Sequence, residues 1–294
     1  LGLDLEVYAC DMKPRLSAAC QLADRAFEVP HCATPGFADA VCDIVRSHGV
    51  DLVVPTIDPE LRPLAESVAS FESLGAKVHV SPPPVVNIVR DKLETARVLS
   101  AAALPVPRTA EIAEVRDDPD SWAWPLFMKP RGGSASRSLS IVPHPSEIPE
   151  RVDEPMVLQE LLTGPEYTVN LFIDQQGTLR SIVPHLRIQV RAGEVEKGRT
   201  ERNTVLADLT RGVAKALPAA RGALCFQVMM DPERGASIIE INARFGGGYP
   251  LAHRAGATFT RWLLEEVSGL PVSAHDNWRE GLLMLRYDAA VFQG

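Results

Sequence analysis

The chain has 294 residues, of which 46% are apolar and 23% are charged, and its formal net charge is −8. This length allows two or more domains with a substantial core. The acidic balance argues against non-specific binding to nucleic acid, which needs a basic surface. No apolar run approaches the roughly 20 residues that span a bilayer. The five cysteines form no Cys-x-x-Cys pair, which predicts reduced thiols in a cytoplasmic protein and no zinc site.

Strands and helices alternate over residues 1–84. The sequence predicts, in order, strand 5–10, helix 16–23, strand 27–29, helix 37–48, strand 51–55, helix 59–74 and strand 77–80. This alternation is typical of an open, largely parallel sheet of the Rossmann-like type. Such a unit normally begins with a strand and a glycine-rich turn, and neither precedes Leu1, so we expect a fold without its first strand–helix unit.

The character of the chain changes after residue 84. Residues 85–103 are predicted to form two helices broken near Asp91. Further strands are predicted at 122–130, 139–142, 156–162, 166–173 and 179–190, with helices at 203–217 and 259–268. We therefore expect a fold of the α/β and α+β classes, in which a truncated Rossmann-like domain, 1–84, precedes a second domain, 85–294.

The most informative segment is 238–248, which reads Ile-Ile-Glu-Ile-Asn-Ala-Arg-Phe-Gly-Gly-Gly. Alternate side chains of a strand share a face, so Glu240, Asn242 and Arg244 are predicted to project together. Carboxylate and amide oxygens suit Mg²⁺ bound to substrate phosphates, and the guanidinium could contact a transferring phosphate. The alternative is an edge strand with a solvated polar face.

The strand before this segment supports the same site. Gln227 is a lone polar residue within the mostly apolar run 224–231, and a Pro-Glu-Arg-Gly turn leads from that run to 236–242. This arrangement predicts an antiparallel hairpin that brings Gln227 near Glu240. The alternative for a single glutamine in an apolar strand is a buried amide with satisfied hydrogen bonds.

Lys129 closes an apolar strand, and the loop 131–138 that follows is rich in glycine and serine and carries two arginines. Small residues let backbone N–H groups approach phosphate oxygens, so this loop could fold over a polyphosphate. It is not a Walker A loop, because a strand follows in place of a helix. The alternative is a flexible hairpin tip with solvated charges.

Two further segments contain candidate binding residues. Glu160 and Glu166 flank a Gly-Pro turn, whose backbone could meet an adenine while a carboxylate accepts from a ribose. Arg187 and Arg191 share a face if their segment is a strand, and arginines are good clamps for carboxylate and phosphate. The alternative for this segment is a solvated basic face.

Taken in order, these motifs resemble the ATP-grasp superfamily, and within it the units of the carbamoyl-phosphate synthetase large subunit and related stand-alone ligases. The resemblance rests on Asp91-Lys92, on 128–134, on Gln159-Glu160, on 164–166, on Gln227 and on 240–244. It implies ATP held between two α+β lobes, 85–160 with a glycine-rich lid and 161–294 with the metal site.

The resemblance also implies residue roles, by motif position. The implied ATP-binding residues are Lys92, Lys129, Gly133, Ser134, Arg137, Gln159, Glu160, Leu162 and Glu166. The implied ligands of Mg²⁺ or Mn²⁺ are Gln227, Glu240 and Asn242. In this frame Arg244 stabilises the transferring phosphoryl group, with Arg187 and Arg191 as clamps. Lys197, His253 and Arg254 are the candidates for the acceptor pocket, although a lone histidine is more often structural.

The implied activity is an ATP- and Mg²⁺-dependent ligase that releases ADP and joins a small-molecule carboxylate to an amine through an acyl phosphate. One alternative is a carbamoyl-phosphate synthetase-like subunit that phosphorylates bicarbonate or carbamate and needs a second synthetase half. Another is a non-catalytic nucleotide-binding subunit, favoured by Ala135 and Ser138 where the family often has glycine. A homodimer is compatible with either. The acceptor pocket draws on three distant segments, so the sequence does not identify the carboxylate or the amine.

Overall fold

The structure is a computed structural model and describes residues 2–133 and 138–293. Its N-terminal region alternates strands and helices, as the sequence predicts. The elements are β1 (Tyr8–Asp11), α1 (Ala18–Leu22), β2 (Arg25–Glu28), α2 (Phe37–His48), β3 (Leu52–Val53), α3 (Leu61–Glu66), α4 (Val68–Ser73) and β4 (Lys77–Val78). Short 3₁₀ turns precede α1 and α3.

The N-terminal strands are parallel, as predicted, and form two separate pairs, β1 with β2 and β3 with β4. The single helix expected over 59–74 is interrupted, because Ser67 leaves the helical region with φ −106° and ψ 8°. Helix α2 buries an apolar stripe that includes Phe37 and Val45, and this stripe packs against Leu64 and Phe71. The core of this region therefore lies between α2 and the two short helices.

Two helices, α5 (Pro83–Val89) and α6 (Lys92–Ala101), connect this region to the rest of the chain. The break between them lies at Asp91, as the sequence predicts. The Asp91 carboxylate accepts hydrogen bonds from the backbone N–H groups of Leu93 (3.0 Å) and Glu94 (3.1 Å). Such an N-cap satisfies donors that have no partner inside the helix, so α6 begins directly after the aspartate.

A four-stranded sheet in the order β5-β8-β6-β7 follows. Its elements are β5 (Thr109–Glu111), α7 (Ile112–Asp117), β6 (Leu126–Pro130), β7 (Ser140–Val142) and β8 (Met156–Glu160). All of its pairings are antiparallel. Leu126 and Leu158 of this sheet are buried together with Val115 of α7. This part of the chain, called the small lobe below, therefore has a core of its own.

The second sheet has six antiparallel strands in the order β13-β12-β9-β10-β11-β14. Its strands are β9 (Glu166–Ile173), β10 (Leu179–Arg191), β11 (Glu194–Thr200), β12 (Gly222–Asp231), β13 (Gly235–Asn242) and β14 (Leu283–Leu285). Helices α8 (Thr204–Ala216), α9 (Tyr249–Arg254) and α10 (Phe259–Val267) complete this part of the chain.

Helices cover both faces of the six-stranded sheet. On one face Leu206 and Val213 of α8 pack against Leu171 of β9. On the other face Phe259 and Trp262 of α10 pack against Phe172, the next residue of the same strand. Successive side chains of a strand point to opposite faces, so β9 contributes to both layers and lies at the centre of the lobe.

The N-terminal region packs directly on this lobe. Leu61 of α3 is buried in the same cluster as Leu171, together with Val86 of the connecting helix α5. The ring of His79 lies so close to Gly222 that a side chain at Gly222 would overlap it. No helix within residues 2–133 and 138–293 is both long and apolar enough to cross a membrane. The domain boundary at residue 84 stays a prediction.

The contact between His79 and Gly222 yields a stability prediction. Gly222 has φ +79° and Gly235 has φ +77°, but only Gly222 has a neighbour within 4 Å of an added methyl group. Both alanine substitutions carry the left-handed backbone cost of about 1–3 kcal/mol. Gly222→Ala also overpacks the interface, which costs about 1–3 kcal/mol more. Urea unfolding of the two variants should show this difference; equal losses would show that His79 moves aside freely.

Candidate active site

The hairpin of β12 and β13 has the predicted register. Gln227 lies directly opposite Glu240, and Cys225 lies opposite Asn242. A register shift follows Gln227, before Val228 pairs with Ile238. The prediction that Gln227 lies near Glu240 is therefore confirmed, and the two side chains share the face of one cross-strand pair.

Lys129 connects the two lobes. It is the fourth residue of β6, its surface is only 5% exposed, and its Nζ donates to the backbone carbonyl of Ile239 at 3.2 Å. Burial lowers the pKa of Lys129 to about 8, while the charge of Glu240 acts to raise this pKa and that of Lys92 to lower it. The charges of Lys92 and Glu240 thus both act on Lys129.

The start of the predicted lid lies beside Lys92. The Nζ of Lys92 donates to the carbonyl of Gly133 at 3.3 Å. Ser134 and Arg137 lie outside the described residues, as does Ala135. Ser138 has φ +53°, a left-handed conformation that glycine adopts most easily. The serine here therefore takes the backbone shape expected of the glycine that the family often has.

Two of the residues predicted to bind ATP in the linker between the lobes already interact with other protein groups through their side chains. The side chain of Gln159 is buried and its Nε2 donates to Thr109 Oγ1 at 2.7 Å, so it is a satisfied amide. The Glu160 carboxylate accepts from the backbone N–H of Arg108 at 2.9 Å and lies 3.4 Å from Arg234. Leu162 is partly exposed. An adenine contact in this linker would therefore involve the backbone.

Asp231 fixes the same linker to the β12–β13 hairpin. Its carboxylate accepts from the backbone N–H of Thr163 at 2.8 Å and from those of Glu233 and Arg234 at 3.0 Å each. Hydrogen bonds from these backbone groups, Thr163 first, lower the pKa of Asp231 to about 2. Asp231 was not among the residues predicted from the sequence, although an aspartate that opens a Pro-Glu-Arg-Gly turn is a known turn signal.

Glu166 and Arg187 form a partly buried ion pair. The Nε of Arg187 lies 3.2 Å from the Glu166 carboxylate, and the guanidinium donates to Thr168 Oγ1 (3.2 Å) and to the Gly193 carbonyl (2.7 Å). Burial raises the pKa of Glu166, Arg187 opposes this, and Glu240 adds to it. Glu166 therefore lies in the field of the proposed metal ligand, with Arg187 as its counter-charge.

Arg191 has a different environment from Arg187. It is exposed and forms a bidentate pair with Asp288, at 2.9 and 2.7 Å, and lies 3.2 Å from Glu196. Two register irregularities in β10 lie between the arginines, and these interrupt the alternation on which the predicted common face depends. The two arginines have no shared partner among the described residues, so a joint clamp stays a prediction.

Arg244 contacts the N-terminal region. Its guanidinium donates to the Phe245 carbonyl at 2.8 Å and to the buried carboxylate of Asp58, which also lies 3.9 Å from Arg90. Burial opposes the charge of Arg244, but the pKa is raised by Asp58, with smaller contributions from Cys225 and Glu194. Asp58 was not predicted from the sequence, where its only local signal is an acid shortly after a parallel strand.

The glycine loop 246–248 allows close approach of three side chains. A methyl group at Gly246 would lie 2.8 Å from Cys225 Sγ, and one at Gly248 would lie 2.6 Å from His185 Nε2. At Gly247 it would overlap the carboxylate of Glu194. Buried Cys225 and His185 therefore require glycine at 246 and 248, whereas the neighbour of Gly247 is the flexible end of an exposed side chain. Glu194 is the third acid near the site that was not predicted from the sequence.

The three residues predicted for the acceptor pocket lie on the surface. Lys197 is exposed on β11, and His253 and Arg254 are exposed at the end of α9. His253 Nδ1 lies 3.2 Å from the hydroxyl of Tyr249, which favours a structural role. Within the described part of the chain, none of the three forms a hydrogen bond or ion pair with Glu240 or Arg244.

The buried Lys129 yields a pH prediction. Its pKa of about 8 in the fold lies below the value near 10.4 of an unfolded lysine. Between these values the unfolded state binds more protons, so folding stability increases with pH there, by up to about 3 kcal/mol. Below pH 8 the Lys129 amine is protonated in both the folded and the unfolded state, so the folded state bears the full cost of burying this charge.

The variant Lys129→Met removes this titration while keeping the side chain long. Relative to this variant, the wild-type protein should gain free energy of unfolding as pH rises from about 8 to about 10.4. Urea unfolding curves at both ends of this window measure the difference. The exposed Lys215 gives the control variant Lys215→Met, which should show no such change. A constant difference between wild type and Lys129→Met would contradict the assigned burial.

The comparisons with protein families agree with this geometry. Residues 89–248 match the model of an ATP-grasp domain, so the chain belongs to the ATP-grasp family. Residues 2–79 match a PylC-like N-terminal domain. The recognition of the ATP-grasp superfamily is therefore confirmed. A comparison with curated protein sequences gives no significant match.

Solved structures share the fold at low identity. The biotin carboxylase domain of Hydrogenobacter thermophilus 2-oxoglutarate carboxylase, with MgADP, ADP and bicarbonate, is 15% identical, with TM-score 0.73 over 95% of this chain and 68% of that one. Campylobacter jejuni biotin carboxylase is 13% identical, with TM-score 0.75 over 94% and 68%. Thermotoga maritima N5-carboxyaminoimidazole ribonucleotide synthetase is 17% identical, with TM-score 0.64 over 92% and 71%. The chain spans only 28% of Rhizobium etli pyruvate carboxylase.

Proposed function

We propose that the protein is an ATP- and Mg²⁺-dependent ligase that activates a carboxylate as an acyl phosphate, releases ADP and joins the acyl group to an amine. The observation that carries this proposal is the contact of Lys129 with the backbone of β13, close enough to Lys92 and Glu240 for their charges to act on it, with Lys92 also bonded to Gly133. The two cations can bind the phosphates of a nucleoside triphosphate, and the carboxylate can bind its metal ion.

The donor set near Glu240 fits a divalent metal ion. Glu240 is half-buried and supplies a carboxylate, and Gln227 supplies an amide oxygen from the directly opposed position. Asn242 adds a second amide, whose oxygen already accepts a long hydrogen bond of 3.4 Å from Arg244. One carboxylate with amide oxygens leaves positions for phosphate oxygens and water, as Mg²⁺ usually requires. When bound, the ion would neutralise charge on the transferring phosphate.

The other residues would position the reactants. Lys92 and Lys129 would bind phosphate oxygens, and the backbone near Leu162, fixed by Asp231, would receive the adenine. Glu166, held by Arg187, would accept from the ribose. A carboxylate oxygen would attack the γ-phosphorus, and the bond from that phosphorus to the bridging oxygen would break as ADP leaves. Arg244 would stabilise the negative charge that this transfer develops.

The amine then attacks the acyl carbon, and inorganic phosphate leaves with the electrons of the C–O bond. The nitrogen releases one proton, so atoms and charge balance. Removal of water from the closed cleft would protect the acyl phosphate. As a clamp for the carboxylate or the γ-phosphate, Arg191 is less suited than Arg187, because it is exposed and already paired with Asp288.

Bicarbonate is the second candidate for the carboxyl substrate. The observation that favours it is the shared fold with the biotin carboxylase domain whose structure contains bicarbonate. A carbamoyl-phosphate synthetase-like reaction on bicarbonate would use the same cleft and the same charges. Assembly as a homodimer also belongs to this proposal, and sedimentation would measure it.

The acyl phosphate gives a direct test. With ATP, Mg²⁺, hydroxylamine and a panel of carboxylates that includes bicarbonate and amino acids, we expect a carboxylate-dependent release of ADP and phosphate. An organic carboxylate should also yield a hydroxamate. Bicarbonate as the best member would favour the second candidate. AMP and pyrophosphate would contradict the mechanism, since an adenylate would then be the activated species. No turnover with any member would favour a nucleotide-binding subunit.

Glu240→Gln tests the metal assignment. The substitution nearly preserves shape but removes the carboxylate charge, so the fold should persist. Loss of metal-assisted charge stabilisation should cost about 2–4 kcal/mol, or roughly 30- to 1,000-fold in turnover. Glu233→Gln, at an exposed position in the turn of the same hairpin, is the matched control. Wild-type turnover in folded Glu240→Gln would exclude Glu240 as the metal ligand.

A further inference from the structure

The carboxylate of Glu194 lies against the glycine loop and has no role in the ligase chemistry proposed above. Glu194 begins β11, directly after a two-residue turn in which Ala192 has φ +51° and Gly193 has φ +80°. Positive φ at both positions defines the tight hairpin turn that matches the twist of its strands. The turn therefore places Glu194 at the tip of the β10–β11 hairpin.

The tip is anchored to the nucleotide side of the cleft. The guanidinium of Arg187 donates to the Gly193 carbonyl at 2.7 Å and lies 3.2 Å from the Glu166 carboxylate. Arg187 is almost fully buried, with 7% of its side chain exposed. The hairpin tip and the predicted ribose-binding acid are consequently held by one side chain, so Glu194 has a defined position relative to the nucleotide.

The glycine loop then brings Glu194 close to Arg244. A methyl group at Gly247 would overlap the Glu194 carboxylate, which shows that this carboxylate rests on the loop backbone. The loop begins two residues after Arg244, and the charge of Glu194 reaches that guanidinium. No protein cation forms an ion pair with Glu194 among residues 2–133 and 138–293. An exposed acid without a protein partner thus lies next to the residue proposed to stabilise phosphoryl transfer.

We propose that Glu194 is the carboxylate that binds the amine substrate, and that this substrate enters as a cationic ammonium group. This inference rests on the proposed ligase function. A primary alkylamine has a pKa near 10.4, like that of lysine, and is therefore charged at neutral pH. An ammonium group held by Glu194 would lie over the glycine loop, beside the acyl phosphate formed at Arg244. It would give up one proton, to the Glu194 carboxylate or to water, before the neutral amine attacks the acyl carbon, and the nitrogen would release a second proton as the amide forms. Glu194 is thus the specificity residue for the second half of the reaction.

Hydroxylamine separates this inference from the proposed function, because it is neutral at neutral pH and needs no counter-charge. The carboxylate that gives most hydroxamate with the wild-type protein is combined with hydroxylamine in one series. In a second series it is combined with cationic amines, namely methylamine, ethanolamine and lysine. Absence of ADP and hydroxamate in the wild-type protein would reject the ligase proposal itself, before Glu194 is considered.

In Glu194→Gln we expect hydroxamate formation at close to the wild-type rate. The KM for the cationic amine should rise by roughly 10- to 100-fold, the effect of losing one charge-assisted contact. A structural role through Arg244 would instead lower both reactions together. Glu114→Gln, at an exposed position on α7, should change neither.

Gly247→Ala provides a second, independent variant. Its φ lies outside the left-handed region, so alanine meets no backbone strain, but the added methyl group must displace the Glu194 carboxylate. We expect the same rise in amine KM with hydroxamate formation retained. The inference is overturned if Glu194→Gln leaves amine KM unchanged, or if the wild-type protein forms hydroxamate but couples none of the cationic amines.

Discussion

The place of β12 between β9 and β13 is the constraint on which the site depends. Gln227 pairs with Thr168 on one side and with Glu240 on the other. The neighbouring pair of Phe226 and Ile241 is buried in the main core. A slip of one residue would turn the polar side chains to the opposite face and expose the apolar ones. Apolar packing against α8 therefore sets the position of the proposed metal ligands, although it makes no contact with a ligand itself.

The structure also contains charges that are buried at a cost in free energy. The charged amine of Lys129, in β6 of the small lobe, contacts the backbone of β13, and the carboxylate of Asp58, in the N-terminal region, contacts Arg244. A buried charge is tolerated only when it is paired or well hydrogen-bonded. Asp58 has two arginines near it, whereas Lys129 has one carbonyl and the field of Glu240. The charge of Lys129 is therefore the less well compensated of the two, and an anionic phosphate bound beside it would stabilise it.

Local pattern predicted the elements better than the site. Helix α2 and strand β9 have the bounds expected from periodicity, and the hairpin register follows from the position of its turn. Asp58 was missed because it meets Arg244 across 186 positions of sequence. Glu194 was missed for the same kind of reason, since a glycine at 247 signals a close approach but not its partner. The common face of Arg187 and Arg191 depended on regular alternation, which the irregularities of β10 interrupt.

The contact between Asp58 and Arg244 has a consequence for how this protein can be recombined. An arginine of the ATP-grasp domain pairs with a carboxylate from the N-terminal region, so these two parts of the chain are not independent modules. A chimaera that exchanged the N-terminal domain for one without an acid at this place would leave a buried guanidinium uncompensated, even if every residue of the nucleotide cleft were kept. Substitutions at these two positions are therefore expected to be accepted as a pair, and a crossover placed between them in the sequence is expected to be poorly tolerated.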